Sequence, residues 1–556
     1  MDTSHLRLES ERTFGVLLAL AVPVFFLWLG ANSIWDANEA FYVDTPRQMV
    51  LGGDYVTPMF NGVPRLNKPV LSYWIVAGLY RLFGVSVATE RLGIAIGVLG
   101  IVAMAFLIGR ALRSRSTGVL AALVVATAPQ VVMWGRRIFI DVYITFFMSM
   151  ALACFILAER QPEHRRRYLL LMYAAIGLGV LTKGPVALFF PVLTGAIWLT
   201  VERRWADTSR LMILPGLAIV LAIVAPWYVA LVLQHGWAPV TGFFVGENLD
   251  RFTTSMQPDN RDMWFYLPVL FGSIFPWAPL VAVPLVSAWH RADDDTRVQG
   301  AIRRLLWIWI VTIVATFSLS QTKQDLYIFP VAVAVAALVA DRLVSSGYGQ
   351  TDRILRALFV LVAALSAAAG VTVVRYFGSG GYYDLDGARL VGGLLIVGGT
   401  ISVTFVMARR HRAAVAVLAA TFIMFNYVFA ARVLPSLERL KPVVPLAETF
   451  LRRASAQAEL GAYQFMLPSL VYYAGRPVVL IGSLDEARVF YANPQGAWAI
   501  MDEGRYDALR LAAPHVCVAG RHPRLDPKFA DVLAGRPSEA VLLVTNECDE
   551  AKLIAN

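Results

Sequence analysis

Of the 49 basic residues in the chain only six are lysines: Lys68, Lys183, Lys323, Lys441, Lys528 and Lys552. Three of them sit in short polar breaks between apolar stretches: N-K-P (67–69), T-K-G-P (182–185) and Q-T-K-Q-D (321–325). A lysine ammonium is a compact point charge and can bind a phosphate. Carboxylates lie in similar breaks. Asp36 and Glu39 open the first, Asp141 follows Arg136 and Arg137, and Glu247, Asp250 and Arg251 lie together further along. A carboxylate so placed can take a proton, hold a metal ion or accept from a sugar hydroxyl. Each residue also has a plainer explanation. A lysine at a membrane edge can snorkel to the interface. Asp141 can pair with Arg137, four residues earlier. Asp36 can cap a helix over 37–50.

The breaks interrupt a chain of 556 residues that is 58% hydrophobic and 16% charged, with a mean hydropathy of +0.60. Soluble proteins are about 45–50% apolar and about 25% charged. This composition excludes a soluble enzyme, a disordered chain and a collagen-like chain, and leaves a polytopic membrane protein. The net charge of +10 is read as basic helix ends on the cytoplasmic side, not as a nucleic-acid surface. The three cysteines, Cys154, Cys517 and Cys548, form no disulfide framework and no Cys/His metal cluster; whether Cys517 and Cys548 pair stays open. The first apolar run, Phe14 to Gly30, lacks a small-residue cleavage site and reads as the first span.

Thirteen spans are expected, near 14–30, 90–110, 117–134, 138–158, 168–182, 185–201, 211–234, 264–288, 305–320, 326–341, 355–374, 388–408 and 413–432. The apolar run 70–84 is too short to cross and reads as interfacial or re-entrant. With the N-terminus in the cytoplasm, the arginine-dense segments 110–115, 159–167, 202–210, 290–304 and 409–412 all fall on one side, as the positive-inside rule requires. All six lysines then fall outside, with the main outer loops at 31–89 and 235–263. The transmembrane part ends at 432. Residues 433–556 change character, with strand-like runs at 462–465, 478–481, 497–501, 516–519 and 540–544 punctuated by Gly, Pro and Asp. They read as a small α/β domain outside the cytoplasm.

Aromatics crowd the outer loops: Trp35, Phe41, Tyr42, Tyr55, Tyr73, Trp74, Trp264, Phe265, Tyr266 and Trp277. An interfacial aromatic belt accounts for most of them, and an aromatic-lined groove would also suit a lipid with a charged head group. Nucleotide sugars and ATP are not expected outside the inner membrane, so an enzyme there would take its activated group from a lipid carrier. A polyprenyl phosphate-sugar fits: cations hold the phosphate, a carboxylate handles the acceptor, and a groove takes the prenyl chain.

Several stretches, in order, resemble the polyprenyl-phosphate-dependent membrane glycosyltransferases of the GT-C fold, within the protein mannosyltransferase superfamily. The similarity is greatest to the bacterial lipid A 4-amino-4-deoxy-L-arabinose transferases. The stretches are W-D-A-N-E-A-F-Y (35–42), N-K-P-V-L-S-Y-W (67–74), R-R-I-F-I-D (136–141), L-T-K-G-P (181–185), E-N-L-D-R-F (247–252), Y-L-P-V-L-F-G-S-I-F-P-W (266–277), S-L-S-Q-T-K-Q-D-L-Y-I-F-P (318–330) and P-S-L-V-Y-Y-A-G-R-P-V (468–478). The chain departs from the pattern at three places. Asn38 stands where the family's acidic pair has Asp, Phe41 where an Arg follows that pair, and Asn260 where many members have His.

The resemblance implies an α-helical polytopic GT-C membrane protein with about thirteen transmembrane helices and a small periplasmic α/β domain. It implies an inner-membrane glycosyltransferase with an undecaprenyl phosphate-sugar donor and lipid A or another membrane acceptor, its active site facing the periplasm among membrane lipids and without nucleic acid. Lys68, Lys183 and Arg251 would bind the donor phosphate, Glu39 and Asp141 would position or deprotonate the acceptor, and Tyr42, Tyr73, Lys323 and Tyr327 would line the substrate groove. No cofactor follows from the residues themselves; a divalent metal ion is left open. Two alternatives remain: a protein O-mannosyltransferase-like enzyme and a catalytically impaired membrane scaffold.

Overall fold

The structure is a computed structural model that describes residues 3–36, 38–137, 140–254, 261–282, 296–345, 350–380, 382–524, 532, 534–537 and 539–548. Among the described residues, eight helices are long and apolar enough to cross a membrane, and Arg115–Thr127 and Val186–Val201 are shorter apolar helices. The chain is therefore an integral membrane protein. We number its principal helices α1 (Thr3–Ala21), α2 (Asn38–Gly52), α3 (Leu71–Phe83), α4 (Val87–Leu112), α5 (Arg115–Thr127), α6 (Pro129–Trp134), α7 (Ile140–Arg160), α8 (Arg165–Lys183), α9 (Val186–Val201) and α10 (Ile213–His235). After these come α11 (Arg297–Leu319), α12 (Asp325–Ser345), α13 (Gln350–Phe377), α14 (Ala388–Met407), α15 (His411–Val428) and α16 (Val443–Arg453). The expected spans at 14–30, 117–134 and 264–288 are not single regular helices. The first passes into a 3-10 turn at Val22–Phe25, the second breaks between α5 and α6, and the third holds the short helices Tyr266–Ser273 and Ala278–Val281, with 283–288 outside the described residues.

Helices α7 and α12 form the centre of the bundle, each with 78% of its most apolar window buried, against 22% for α10 and 28% for α13. That difference separates core helices from lipid-facing ones, because a helix on the outside of a bundle is apolar without being buried in protein. Local signals place the helix starts. Ser86 accepts from the Thr89 N–H to begin α4, and Ser114 accepts from Thr117 N–H to begin α5. Thr296 and Gln299 form a capping box before α11, satisfying donors that have no partner inside the helix.

Between α1 and α4 the chain builds an outer layer: α2, a hairpin of β1 (Met59–Phe60) and β2 (Val63–Pro64), and α3. The five strand-like runs after 433 become β3 (Glu459–Tyr463), β4 (Val479–Ile481), β5 (Ala497–Asp502), β6 (Cys517–Pro523) and β7 (Ala540–Thr545). They form one mixed sheet in the order β4-β3-β5-β7-β6, parallel at β4-β3-β5 and antiparallel from β5 onward. One face packs on Leu446 and Phe450 of α16 with Leu470, the other on Ala487, Phe490, Tyr491 and Leu509. A disulfide, Cys517–Cys548, ties β6 to the end of β7.

This α/β layer sits on the first outer loop. The Asp36 carboxylate accepts from Ser469 N–H at 2.7 Å and Ser469 Oγ at 2.5 Å. Ile34 N–H donates to Tyr473 at 2.8 Å, Arg47 donates to the Tyr472 carbonyl at 2.9 Å, and Lys441 donates to the Ser33 carbonyl at 2.8 Å. Asn61 brackets Val478, accepting from its N–H and donating to its carbonyl.

Candidate functional site

Helices α7 and α8 form an antiparallel hairpin, so the start of one lies beside the end of the other. Asp141 is the second residue of α7 and Lys183 the last of α8, and their side chains form an ion pair. Each charge also suits its helix end, a carboxylate at an N-terminus and an ammonium at a C-terminus. The chain must turn immediately after Lys183, and Gly184 makes that turn at φ +91; a Cβ there would lie 2.5 Å from Phe243 Cζ. Lys183 Nζ stands 4.8 Å from the centre of the Tyr327 ring, close enough for a cation–π contact.

A second pair lies in the outer layer. Lys68 Nζ is 2.6 Å from Glu247 Oε2, and Asn67 donates to Glu247 Oε1 at 3.1 Å. Lys68 occupies the turn before α3, while Glu247 lies in the π-helical segment Gly242–Asp250. Tyr42 connects the two pairs. Its ring stacks on Tyr73 at 5.4 Å. Burial pushes its hydroxyl well above the usual range, and Tyr73, Asp141 and Glu247 add to that rise while Arg65 opposes it. Lys68, Lys183, Asp141, Tyr42, Tyr73 and Tyr327 thus share one neighbourhood.

Glu39 lies one turn before Tyr42 on α2 and has a different partner. Its carboxylate receives Arg91 Nε at 2.8 Å and Nη2 at 3.1 Å, and Trp35 N–H at 2.7 Å, with a side chain only 1% exposed. Burial alone would raise its pKa, but Arg91, these hydrogen bonds and Arg137 outweigh burial and hold it below the usual carboxylate range. Arg91 also donates to the carbonyls of Leu29, Asn32 and Ser33, so Glu39 and Arg91 together fix the entry into the first outer loop. The sequence reading assigns Glu39 to the acceptor; in this structure its carboxylate is engaged by Arg91 and the Trp35 N–H. Asp141 pairs with Lys183 where the plainer sequence reading had Arg137, whose guanidinium lies over Trp35 at 4.5 Å. Asp36 faces Ser469 instead of capping a helix. Burial raises its pKa against those two hydrogen bonds and Lys441.

Lys323 is buried and donates to the Ser320 carbonyl at 2.6 Å, within its own turn. The backbone of Arg251 starts a short helix, Arg251–Thr253, but its side chain lies outside the described residues, as does Asn260. Asn38 is exposed at the start of α2. One cation was missed from sequence: Arg65 lies 3.7 Å over the Phe41 ring and acts electrostatically on both Tyr42 and Tyr73. Its position three residues before Lys68, in R-L-N-K-P, was the available signal. Among the described residues no three His, Cys, Asp or Glu side chains come together to hold a metal ion. Asp141, Glu247 and Glu39 each face a cation.

An α-helical membrane bundle with a small mixed α/β layer has the GT-C fold, and comparison with solved structures gives the same class. ArnT from Cupriavidus metallidurans bound to undecaprenyl phosphate superposes with a TM-score of 0.80 at 21% identity, over 96% of this chain and 98% of that one. The apo oligosaccharyltransferase of Archaeoglobus fulgidus superposes at 0.53 and 14% identity, over 92% of this chain and 73% of the other. The family profile described as dolichyl-phosphate-mannose-protein mannosyltransferase matches residues 14–237. Two relatives share the description undecaprenyl phosphate-alpha-4-amino-4-deoxy-L-arabinose arabinosyl transferase. The one from Edwardsiella ictaluri is 30% identical over 395 residues, 69% of each chain. The one from Pseudomonas aeruginosa strain UCBPP-PA14 is 31% identical over 341 residues, and the match spans only 60% of the length of either chain. The chain belongs to the family of these arabinosyl transferases.

Proposed function

We propose that the protein transfers a sugar, 4-amino-4-deoxy-L-arabinose in the leading reading, from undecaprenyl phosphate to lipid A at the periplasmic face of the bacterial inner membrane. The observation that carries this is the pairing of Lys68 with Glu247 and of Lys183 with Asp141 around one buried tyrosine. An acceptor oxygen attacks the anomeric carbon, the bond from that carbon to the prenyl phosphate oxygen breaks, and the phosphate leaves with added negative charge. Lys68 and Lys183, with Arg65 beside the same tyrosines and Arg251 from the sequence reading, are the cations that would stabilise that charge, which is the preorganised electrostatic help group transfer needs. Asp141 orients the acceptor or receives its proton. A lipid A phosphate acceptor is already ionised and needs no strong base, so Asn38 in place of an acid is compatible with this acceptor.

The orientation belongs to the same proposal: thirteen crossings, an N-terminus in the cytoplasm, and residues 433–556 outside. The Cys517–Cys548 disulfide supports it, since disulfides persist in oxidising compartments such as the periplasm. A reporter active only in the cytoplasm, fused at the C-terminus, is expected to stay silent.

The mannosyltransferase profile over 14–237 favours one second reading, transfer to a protein hydroxyl. That acceptor must lose a proton, and Asp141 would be the carboxylate to take it. Purified protein given undecaprenyl phosphate-4-amino-4-deoxy-L-arabinose and lipid A separates the two. A lipid A mass increment of one aminoarabinose supports the first reading. Folded protein that leaves lipid A unmodified overturns it.

A further inference from the structure

A second charged site lies at the other end of the bundle. A cavity of about 550 Å3 opens where α4 and α7 end and α8 begins, lined by Arg110, Arg160, Gln161, Tyr168, Leu107 and Leu157. Several other arginines pair with acids: Arg113 and Arg303 with Asp341, Arg115 with Glu11, Arg165 and Arg204 with Glu159, Arg304 with Glu202; Arg166 and Arg167, at the start of α8, are not part of that set and do not line the cavity. Arg110 and Arg160 make no ion pair or side-chain hydrogen bond with any described residue, yet both face this cavity. Tyr168 donates to Gln161 at 2.9 Å, which leaves the amide nitrogen of Gln161 to donate elsewhere.

Favourable interaction with helix C-termini explains why an arginine sits at the end of α4 and of α7. It does not explain why two guanidinium groups without acids flank one cavity with leucines in its wall. We propose that this cavity binds the phosphate head group of an anionic phospholipid. Arg110 and Arg160 would hold the phosphate, Gln161 would donate to it, and Leu107 and Leu157 would meet the first carbons of the acyl chains. A free anion would find no use for the apolar wall. A membrane lipid would, because the cavity lies at the ends of two spanning helices, where head groups are. Basic pockets between transmembrane helices recognise anionic lipids in this way. The proposal is independent of the transfer reaction.

The test uses the full chain, delipidated in detergent and titrated with phosphatidylglycerol, phosphatidylcholine or inorganic phosphate, with retained lipid read by native mass spectrometry and thermal unfolding followed in parallel. Phosphatidylglycerol is expected to remain bound and raise the unfolding temperature, and phosphatidylcholine to do neither. The double variant Arg110→Gln, Arg160→Gln is expected to bind phosphatidylglycerol roughly 30-fold more weakly, about fivefold per arginine. The pair Arg110→Lys, Arg160→Lys keeps the charge and is expected to keep most of the preference, which covers the case in which the glutamine variant folds poorly. Equal phosphatidylglycerol binding by parent and glutamine variant overturns the site. An equal stabilisation by inorganic phosphate alone overturns the lipid assignment.

Discussion

Replacing Asp141 by Asn removes one charge from the α7–α8 ion pair and keeps the side-chain shape. Two different losses can follow, and the structure sets the size of each. The side chains are 16% and 9% exposed, between a surface pair and a fully buried one. Surface pairs contribute about 0–1 kcal/mol, and breaking a buried one costs about 3–5 kcal/mol, so a stability loss of roughly 1–3 kcal/mol is expected here. If Asp141 takes the acceptor's proton, turnover falls a further 10²–10⁴-fold, the usual worth of a general base, or about 3–5 kcal/mol in barrier height. The assay is sugar transfer by Asp141→Asn, Lys183→Gln and the double variant, each with donor KM, kcat and unfolding temperature. A base gives a collapse of kcat in Asp141→Asn with donor KM little changed. A residue that only holds Lys183 gives a raised donor KM in Asp141→Asn and a double variant no worse than Lys183→Gln alone. Full activity in Asp141→Asn refutes both roles.

Glu247→Gln releases Lys68 from a partly buried pair, and a gain of about 1 kcal/mol should lower donor KM roughly fivefold; an unchanged or higher KM would show that Glu247 does not compete with the donor. Glu39→Gln leaves Arg91 buried without its countercharge, so about 3–5 kcal/mol of stability should go, read as a lower unfolding temperature with donor KM unaltered in the folded fraction. Lys441 gives a pH test: burial, partly offset by Glu438, brings its pKa down to about 8. Below pH 8 both folded and unfolded forms hold its proton, and the fold bears the full cost of the buried cation. Between about 8 and its ordinary 10.5 only the unfolded form keeps the proton, so this residue's contribution to stability improves as pH rises. The unfolding temperature of Lys441→Met, measured against the parent from pH 7 to 10.5, should therefore show its greatest advantage at low pH and lose it on the way up.

Much of this was legible in the sequence because membranes impose strong rules. Apolar length pointed to the helices, and short strand-like runs punctuated by Gly, Pro and Asp marked all five strands of the sheet after 433 to within a few residues. The lysines stood out because cations are disfavoured on the outer side, and Lys68 and Lys183 did come into one neighbourhood. What the sequence withheld was pairing across long separations. Asp141 had Arg137 nearby in sequence, but the partner it takes is Lys183, brought in by the α7–α8 hairpin. Glu39 looked like a free outer-loop acid because Arg91, inside a span, gave no sign of turning toward it. Breaks inside apolar stretches, such as the one between α5 and α6 at Ala128–Pro129, also escaped a window that counts only hydrophobicity. Arg65 reached the site by folding back across the first loop. Its guanidinium covers Phe41, a contact that lies across the loop and outside any local spacing.

The two lysine–carboxylate pairs solve one physical problem and should respond oppositely to a donor. A lysine held ready for phosphate at a membrane edge must have its charge balanced before the phosphate arrives, since an unpaired buried cation is costly. A carboxylate balances it, but must then yield or remain. Glu247 lies on the segment Gly242–Asp250, whose described side chains are mostly exposed or half-buried and which is not one of the spanning helices. Asp141 is anchored at the first turn of α7, one of the two most buried helices. On the proposed reading, a donor phosphate displaces Glu247 from Lys68 by moving a short segment, whereas displacing Asp141 would mean moving the core. Lys68 then exchanges partners when the donor binds, and Lys183 keeps Asp141 beside it through the reaction. Neutralising the two acids should therefore have opposite signs: Glu247→Gln tightens donor binding, and Asp141→Asn weakens binding or stops turnover. Two variants that shifted donor KM in the same direction would mean that both carboxylates do the same work, and the division between an exchangeable pair and a fixed one would fall.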